Sequence, residues 1–300
     1  MPDTLLPRRS VDVGGVPFDT AVLGEGSPTV VFVNGMGSPL EEWTLVAPAI
    51  AERCRVVCYD RRQAPRQGPV PAHSAAEIAA DLHQLLDALD VTGPLVMVGH
   101  SWGGAVIRRY AFDYPEDITG MVYVDATHEG LKAMTSPPPG TRVLHTGSTF
   151  LLRSGPIRRG VTRSLGFERL PAAEQALVDG LPWLADGRTG RAEFAGIATS
   201  LLELGRVAPA LPSVPTRVLL AAGRPTLTTK LSGRQLATIR KCWEQAVADR
   251  NDITLQIVAD SGHYISLDQP QAVIDAIDDV LTLVAQGRTA PISPGTKTSS

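Results

Sequence analysis

A serine flanked by glycines is the first group in this chain whose spacing suits chemistry. The segment Gly99–Gly103 has the pattern Gly-x-Ser-x-Gly, with Ser101 at its centre. The apolar run before it, Pro94–Val98, is typical of a buried parallel strand, and Gly104–Ala111 after it predicts a helix. On such a sharp turn the hydroxyl is exposed, and glycines are needed because strand and helix pass too closely for a Cβ atom. We therefore predict Ser101 to be a nucleophile rather than part of a merely structural turn.

A neutral hydroxyl is a poor nucleophile, so Ser101 needs a general base. Of the six histidines, His263 follows the last predicted strand in a glycine-containing loop from which it can swing towards Ser101. His100 is next to the nucleophile but points away on such a turn, and we interpret it as structural. His128 is a candidate for lining a pocket. The others are near a surface helix or in an irregular segment: His73, His83 and His145.

Composition excludes several functional classes. The chain has 300 residues, 43% of them hydrophobic, and a net charge of −3 with interspersed signs. A chain of this charge lacks the clustered basic residues with which proteins bind nucleic acid. No apolar run reaches the roughly 20 residues of a membrane span. The N-terminal segment has no apolar signal region, and three cysteines, an odd number, favour free thiols and the cytoplasm. We expect a small-molecule substrate, no membrane, no cofactor and no metal; the oligomeric state is left open.

Apolar runs alternate with helical periodicities, which predicts an α/β fold with a mostly parallel sheet and helices on both faces. The predicted helices include Glu41–Ala51, in which Pro48 could cause a kink or an early end. The alternation stops between about Ala126 and Pro212, where no buried strand is evident. The predicted divisions are a first core part over 1–125, a helical cap over 126–212, a second core part over 213–285 and a disordered tail over 286–300.

The inserted segment follows a strand at the edge where open α/β sheets bind ligands, so we expect it to form a lid. Phe150 and Trp183 are candidates for an apolar pocket wall, although aromatic residues more often pack within a core. Arginines also concentrate here. A solvated surface is the usual role of such a charge run, and a site for an anionic group of the substrate is the alternative.

Over nearly its full length, up to about residue 285, the chain resembles the α/β-hydrolase superfamily. The residues that carry this resemblance are the Asn34–Gly37 turn, the Gly99–Gly104 turn, Asp125 after a strand, the insertion and Ser261–His263. The resemblance implies an eight-stranded sheet, a cap and a Ser/acid/His triad with His263 as the base.

The acid departs from the common pattern of that superfamily. Most members carry it after the strand that ends here at Ala221, but the loop 222–230 contains neither Asp nor Glu. Asp125 follows a neighbouring strand, and some branches use that position. We therefore predict Asp125 as the acid, with helix capping or a cap hinge as the alternative. A catalytic dyad without an acid also remains open, and Asp260 and Asp268 are interpreted as loop and helix-start residues.

The predicted oxyanion hole combines two backbone N–H groups. One belongs to Trp102, directly after the nucleophile, and the resemblance assigns the other to Met36. Asn34 stands where the superfamily usually has His, and we count Asn34 and Gly35 among the candidate substrate contacts. The segment Asp60–Gly68 also departs from the usual glycine-rich turn, and its sequence suggests no function.

These residues predict a serine hydrolase that cleaves an ester, thioester or lactone through an acyl-enzyme. A C–C bond hydrolase or an acyltransferase could use the same groups, and a small-molecule receptor built on a hydrolase scaffold is a third possibility. Epoxide hydrolases and haloalkane dehalogenases of this superfamily need an aspartate nucleophile where Ser101 stands, which disfavours both.

Overall fold

Eight strands form one sheet at the centre of the computed structural model, which describes residues 6–64, 67–136, 151–208, 210–223 and 233–287. The strand order is β1-β2-β4-β3-β5-β6-β7-β8; β2 is antiparallel to β1 and β4, and the later pairs are parallel. The strands are β1 (Arg8–Val13), β2 (Val16–Leu23), β3 (Thr29–Val33), β4 (Val56–Tyr59), β5 (Leu95–His100), β6 (Ile118–Val124), β7 (Thr216–Ala221) and β8 (Ile253–Val258). The predicted α/β class with a mostly parallel sheet is confirmed.

The helices lie between the strands and in the inserted segment. Among the described residues, none is long and apolar enough to cross a membrane. The α-helices are α1 (Ala47–Ala51), α2 (Ala75–Ala88), α3 (Trp102–Asp113), α4 (Lys132–Thr135), α5 (Gly155–Ser164), α6 (Ala172–Gly180), α7 (Pro182–Asp186), α8 (Arg188–Val207), α9 (Gly233–Val247), α10 (Ile265–Asp268) and α11 (Pro270–Ala285).

The predicted helix over 41–51 is wrong in its first half. The chain forms a 3-10 turn over Leu40–Trp43 and then the short α1, with Pro48 in its first turn. A proline fits the first turn of a helix, but inside a helix its ring clashes with the carbonyl four residues earlier. Pro48 therefore starts a new helix instead of continuing the preceding turn.

The buried strands divide their side chains between two apolar layers. Val31 and Val33 of β3 join the layer under α2 and α3, whereas Val30 and Phe32 join the layer under α1 and α11. This alternation follows from the two-residue period of a strand. Both faces of the central strands are thus covered, as expected for parallel strands with continuous apolar sequences.

Register places the ends of β5 and β6 at one level, beside the last residues of β7. His100 of β5 pairs with Val124 of β6, which pairs with Leu219 of β7. The strands are parallel, so residues that follow them emerge at the same edge of the sheet. Ser101 and Asp125 directly follow two of these paired residues, which brings them to adjacent positions at that edge.

The segment between β6 and β7 contains α4–α8 and no strand among its described residues, 126–136, 151–208 and 210–215. Its long helix α8 buries Ile197, Leu201 and Leu204 in the layer shared with α2 and α3. In the earlier part of the segment, before α8, Phe167 and Leu170 pack with the α10 region. The segment is therefore attached to the core at two places. The predicted tail lies outside the described residues apart from its first two positions, 286 and 287.

Candidate active site

Ser101 lies on a strained turn between β5 and α3. Its φ and ψ angles are 52° and −116°, a conformation that residues other than glycine rarely adopt. A Cβ atom at Gly99 would lie 2.6 Å from the Gly103 carbonyl oxygen, and one at Gly103 would lie 2.7 Å from the Asn34 carbonyl oxygen. The glycines thus permit the close approach that aims the serine outwards.

Ser101, His263 and Asp125 form one chain of hydrogen bonds. The His263 Nε2 atom lies 2.9 Å from the Ser101 Oγ atom, and its Nδ1 atom lies 2.6 Å from Asp125 Oδ2. A carboxylate only accepts, so this contact favours the proton on Nδ1 and leaves Nε2 able to accept from the serine hydroxyl. The arrangement can remove a proton from Ser101 and stabilise the imidazolium that forms.

Asp125 is fixed in place by the neighbouring strand. Its N–H donates to the Leu219 carbonyl at 2.7 Å, and its Oδ1 atom accepts the Ala221 N–H at 3.0 Å. The carboxylate therefore reaches across the end of β7, the strand after which most superfamily members were expected to carry the acid. One oxygen is held by the backbone and the other is free to face His263.

Glu42, which sequence reasoning missed, supports the histidine through His100. Both side chains are buried, and His100 places Nδ1 3.3 Å from Glu42 Oε2 and Nε2 2.9 Å from the His263 carbonyl oxygen. Burial lowers the pKa of His100, but the Glu42 carboxylate, together with Asp125 and the His263 carbonyl, outweighs this effect and the net pKa is raised. Both ring nitrogens face acceptors, which favours the imidazolium. His100 thus has the structural position expected, anchoring the loop that carries His263.

The Asn34–Gly37 turn lies beside Ser101. A Cβ atom at Gly35 would be 3.5 Å from the Ser101 Cβ atom. Among the described residues, the Met36 N–H has no acceptor. Trp102 opens α3, and therefore its N–H has no partner within the helix. One of these N–H groups is on the residue after Ser101 and the other is in the turn beside it, and their role as oxyanion donors stays a prediction.

Asn34 has a role within this turn. Its amide nitrogen donates to the Ser38 and Tyr59 carbonyls, and its amide oxygen accepts the Trp43 indole N–H at 2.8 Å. The residue is 1% exposed. Its side chain therefore stabilises the turn from a buried position, and the role of Asn34 and Gly35 as substrate contacts stays a prediction.

Of the other candidate pocket residues, the structure describes the side chain of His128. His128 packs edge-on against Trp243, and its Nδ1 atom accepts the Gly130 N–H at 3.1 Å. Trp183 belongs to α7, and Phe150 lies outside the described residues. Within the described ranges, no group of three or more His, Cys, Asp or Glu side chains is placed to hold a metal ion.

Curated relatives match only part of this chain. The protein named as a carbamate hydrolase, RutD, of Escherichia coli O9:H4 (strain HS) is 35% identical over 101 residues, 33% of this chain and 38% of that protein. A fluoroacetate dehalogenase of a Burkholderia species is 33% identical over 124 residues, 39% of this chain and 40% of that protein. The chain thus aligns with less than half the length of either relative.

Fold and family comparisons cover far more of the chain. The solved structure of a thermophilic esterase from Thermogutta terrifontis superposes with a TM-score of 0.67 at 20% identity, over 92% of this chain and 98% of that one. At this identity the likeness shows the fold. The sequence profile of the alpha/beta hydrolase family matches residues 30–276, which include the serine turn, Asp125 and His263. With most of its length matched in sequence and the fold matched in structure, this chain belongs to the alpha/beta hydrolase family.

Proposed function

We propose that this hydrolase-family protein is a serine hydrolase that cleaves an ester, thioester or lactone of a small, mainly apolar substrate. The observation that carries the proposal is the chain of hydrogen bonds from Ser101 through His263 to Asp125. A histidine that faces a hydroxyl on one side and a carboxylate on the other is the arrangement that activates a serine for acyl transfer.

The proposed mechanism passes through a covalent acyl-enzyme. Ser101 Oγ attacks the substrate carbonyl carbon while His263 Nε2 takes the hydroxyl proton. His263 then returns that proton to the leaving group as the carbon–heteroatom bond breaks. A water, deprotonated by the same nitrogen, attacks the acyl carbon and releases the acid with Ser101 regenerated. Asp125 stabilises the imidazolium at each stage.

The negative charge on the carbonyl oxygen needs donors that are already in position. We assign this role to the N–H groups of Trp102 and Met36, which flank the serine and have no competing acceptor among the described residues. Such preorganised donors act on charge that develops only in the transition state, and each contributes roughly 10²–10³-fold to kcat.

The activities named for the relatives cleave different kinds of bond, and the identity of the nucleophile distinguishes between them. A carbamate, as in the name of the E. coli relative, contains an acyl carbon that a serine can attack. A dehalogenase displaces halide from a saturated carbon, for which the superfamily needs an aspartate, and here Ser101 occupies that position. This favours acyl chemistry over the dehalogenase activity of the Burkholderia relative.

The test combines a covalent probe with turnover. A fluorophosphonate should label Ser101, and the protein should turn over p-nitrophenyl acetate or butyrate many times. We expect Ser101→Ala to abolish labelling and reduce kcat by about 10⁴-fold or more, because triad members act as a unit. Ser10→Ala, which changes an exposed serine of β1, is the matched control and should behave as the wild type.

The outcomes separate the alternatives. Ser101→Ala retaining more than about a tenth of wild-type kcat would exclude Ser101 as the nucleophile. Labelling with a single turnover would favour the receptor hypothesis instead. Rapid acylation followed by transfer to an added alcohol in preference to water would favour an acyltransferase on the same residues.

A further inference from the structure

Arg61, in the segment whose sequence suggested no function, forms a buried ion pair with the inserted segment. Its Nε and Nη2 atoms lie 2.7 and 3.0 Å from the two carboxylate oxygens of Glu193 in α8. Arg61 is 6% exposed and Glu193 is 1% exposed. Burying two charges costs more than their attraction returns unless further hydrogen bonds satisfy them. The other partners of this pair therefore indicate what it does.

Those partners are all in the Asn34–Gly37 turn. Arg61 Nη1 donates to the Asn34 carbonyl at 2.7 Å, and Nη2 donates to the Gly35 carbonyl at 2.5 Å. Glu193 Oε2 accepts the Gly37 N–H at 3.0 Å. The ion pair thus holds three consecutive peptide groups of the turn, although Arg61 and Glu193 lie on different elements.

Because a peptide group is planar, the contact between Arg61 and the Gly35 carbonyl also fixes the direction of the Met36 N–H, the candidate oxyanion donor. The Gly35 carbonyl and the Met36 N–H belong to the same trans peptide, and they point in opposite directions. Because Arg61 holds the carbonyl, the Met36 N–H must point away from Arg61. A flip of this peptide would remove the donor and turn a carbonyl oxygen towards the opposite side.

The preceding peptide is held at both ends. Its carbonyl, on Asn34, accepts from Arg61, while its N–H, on Gly35, donates to Glu42 Oε1 at 3.1 Å. The 34–35 plane is therefore fixed independently of the 35–36 plane. The Gly35 carbonyl also accepts the Ser38 N–H at 3.2 Å within the turn, and the shorter contact from Arg61 is the one that a side chain supplies.

We propose that Arg61, held by Glu193 of α8, is a positioning residue that fixes the 35–36 peptide with the Met36 N–H available to the oxyanion. The inference rests on the proposed function. It makes the competence of the oxyanion hole depend on the docking of α8 against the core. A guanidinium suits this task because its planar fork reaches two carbonyls and a carboxylate at once, which an ammonium cannot do.

Two variants test the role with different demands on folding. Arg61→Lys keeps the charge and removes the fork. The double variant Arg61→Met with Glu193→Leu removes both charges, and apolar replacement of a whole buried pair is often tolerated by the fold. Glu203→Gln is the matched control, since Glu203 links α8 to Arg109 of α3 at 2.6 Å without touching the turn.

We expect both Arg61 variants to lose about 10²-fold in kcat with KM within about 3-fold of the wild type, as for the loss of one oxyanion donor. Inhibition by an alkyl boronic acid, whose tetrahedral adduct with Ser101 places an oxygen in the hole, should weaken by a similar factor. Glu203→Gln should leave kcat and boronate inhibition within about 2-fold, because its change does not reach the hole. A purely structural role would not move kcat and boronate affinity together at constant KM.

A folded double variant with wild-type kcat and boronate affinity would overturn the proposal. The proposal would also be overturned if neither variant unfolded cooperatively on heating, because the ion pair would then be needed for folding itself. Failure of the proposed function is a separate result, because it would appear in the wild type as turnover that Ser101→Ala does not abolish.

Discussion

At the scale of single residues, the position of Asp125 is the feature that most needs a physical account. Its φ angle of 41° is unusual for a residue with a side chain, although aspartate tolerates this region better than most. The strain is offset by the hydrogen bonds that Asp125 makes to Leu219 and Ala221 of β7. An acid that follows β6 can therefore face the same histidine as the acid that most superfamily members carry after the next strand, β7.

Replacement of Asp125 by Asn should reduce kcat by roughly 10³–10⁴-fold, because an amide can hold the histidine in the wrong tautomer. Esterase kinetics at neutral pH measure this directly. Asp260→Asn is the matched control: Asp260 is exposed, also has a positive φ and lies three residues before His263. Asp125→Asn with near-normal kcat, or a large loss in Asp260→Asn, would contradict the assignment of the acid.

At the scale of elements, α8 is bound to the core along much of its length. The Ala192 carbonyl accepts the His73 N–H at 2.9 Å, and Ser200 Oγ accepts the Ala75 N–H at 3.0 Å. Gly196 lies between them, where the helix passes close to the chain before α2. We therefore expect α8 to be a fixed wall, and movement that admits a substrate to come from the part of the insertion before it.

Gly196→Ala should destabilise the protein by about 1–3 kcal/mol, because a Cβ atom there would lie 2.5 Å from the His73 carbonyl oxygen and neither backbone can yield cheaply. Urea unfolding gives the free energy. Gly160→Ala in α5 is the control, since a Cβ atom there meets nothing within 4 Å. It should raise stability by up to about 1 kcal/mol through helix propensity. Equal effects of the two substitutions would show that α8 is not packed so closely.

At the scale of the whole molecule, the buried His100–Glu42 pair connects parts of the chain that are far apart in sequence. It links the turn near the N-terminal end, the end of β5 and the loop after β8. A second, partly buried cluster of charges lies in the same region: Arg8 of β1 contacts Asp19, Glu41 and Asp60. Asp60 also accepts the Leu40 N–H at 2.7 Å. Charges thus hold the N-terminal strands to the site-bearing edge.

The raised pKa of His100 predicts a pH dependence of stability. The pKa in the folded protein exceeds that of an unfolded histidine, about 6.5, so the folded state binds the proton more tightly. This contribution is fully present below the unfolded pKa and is lost as the pH rises through the folded pKa. The difference in Tm between the wild type and His100→Gln should therefore shrink from pH 6 towards alkaline pH.

Thermal unfolding of both proteins between about pH 6 and 9 measures this difference, and groups common to the two proteins cancel in the comparison. His83→Gln is the matched control, because His83 is a surface histidine that stacks on Tyr114 away from the site. A wild-type advantage that stays constant or grows with pH would contradict a charged His100.

The sequence by itself determined the fold class and singled out Ser101 and His263, and it left Asp125 as the predicted acid with other roles still open. Strand runs, helical periodicity and the Gly-x-Ser-x-Gly turn are local patterns, and they follow from backbone geometry and from which faces are buried. Local patterns therefore placed Ser101 after β5 and His263 after β8. Local patterns did not predict where the helix that contains Pro48 begins, because a proline is tolerated in the first turn of a helix but not in its interior.

Only the tertiary structure decided which charged groups meet. Arg61 and Glu193 are 132 positions apart, and Asp125 and His263 are 138 apart. No periodicity encodes such pairs, because they arise where parallel strands end at one level and an inserted helix packs over them. The acid facing His263, the Glu42 support and the Arg61 restraint on Met36 were therefore fixed by packing at the sheet edge, where burial makes each unpaired charge costly and so selects its partner.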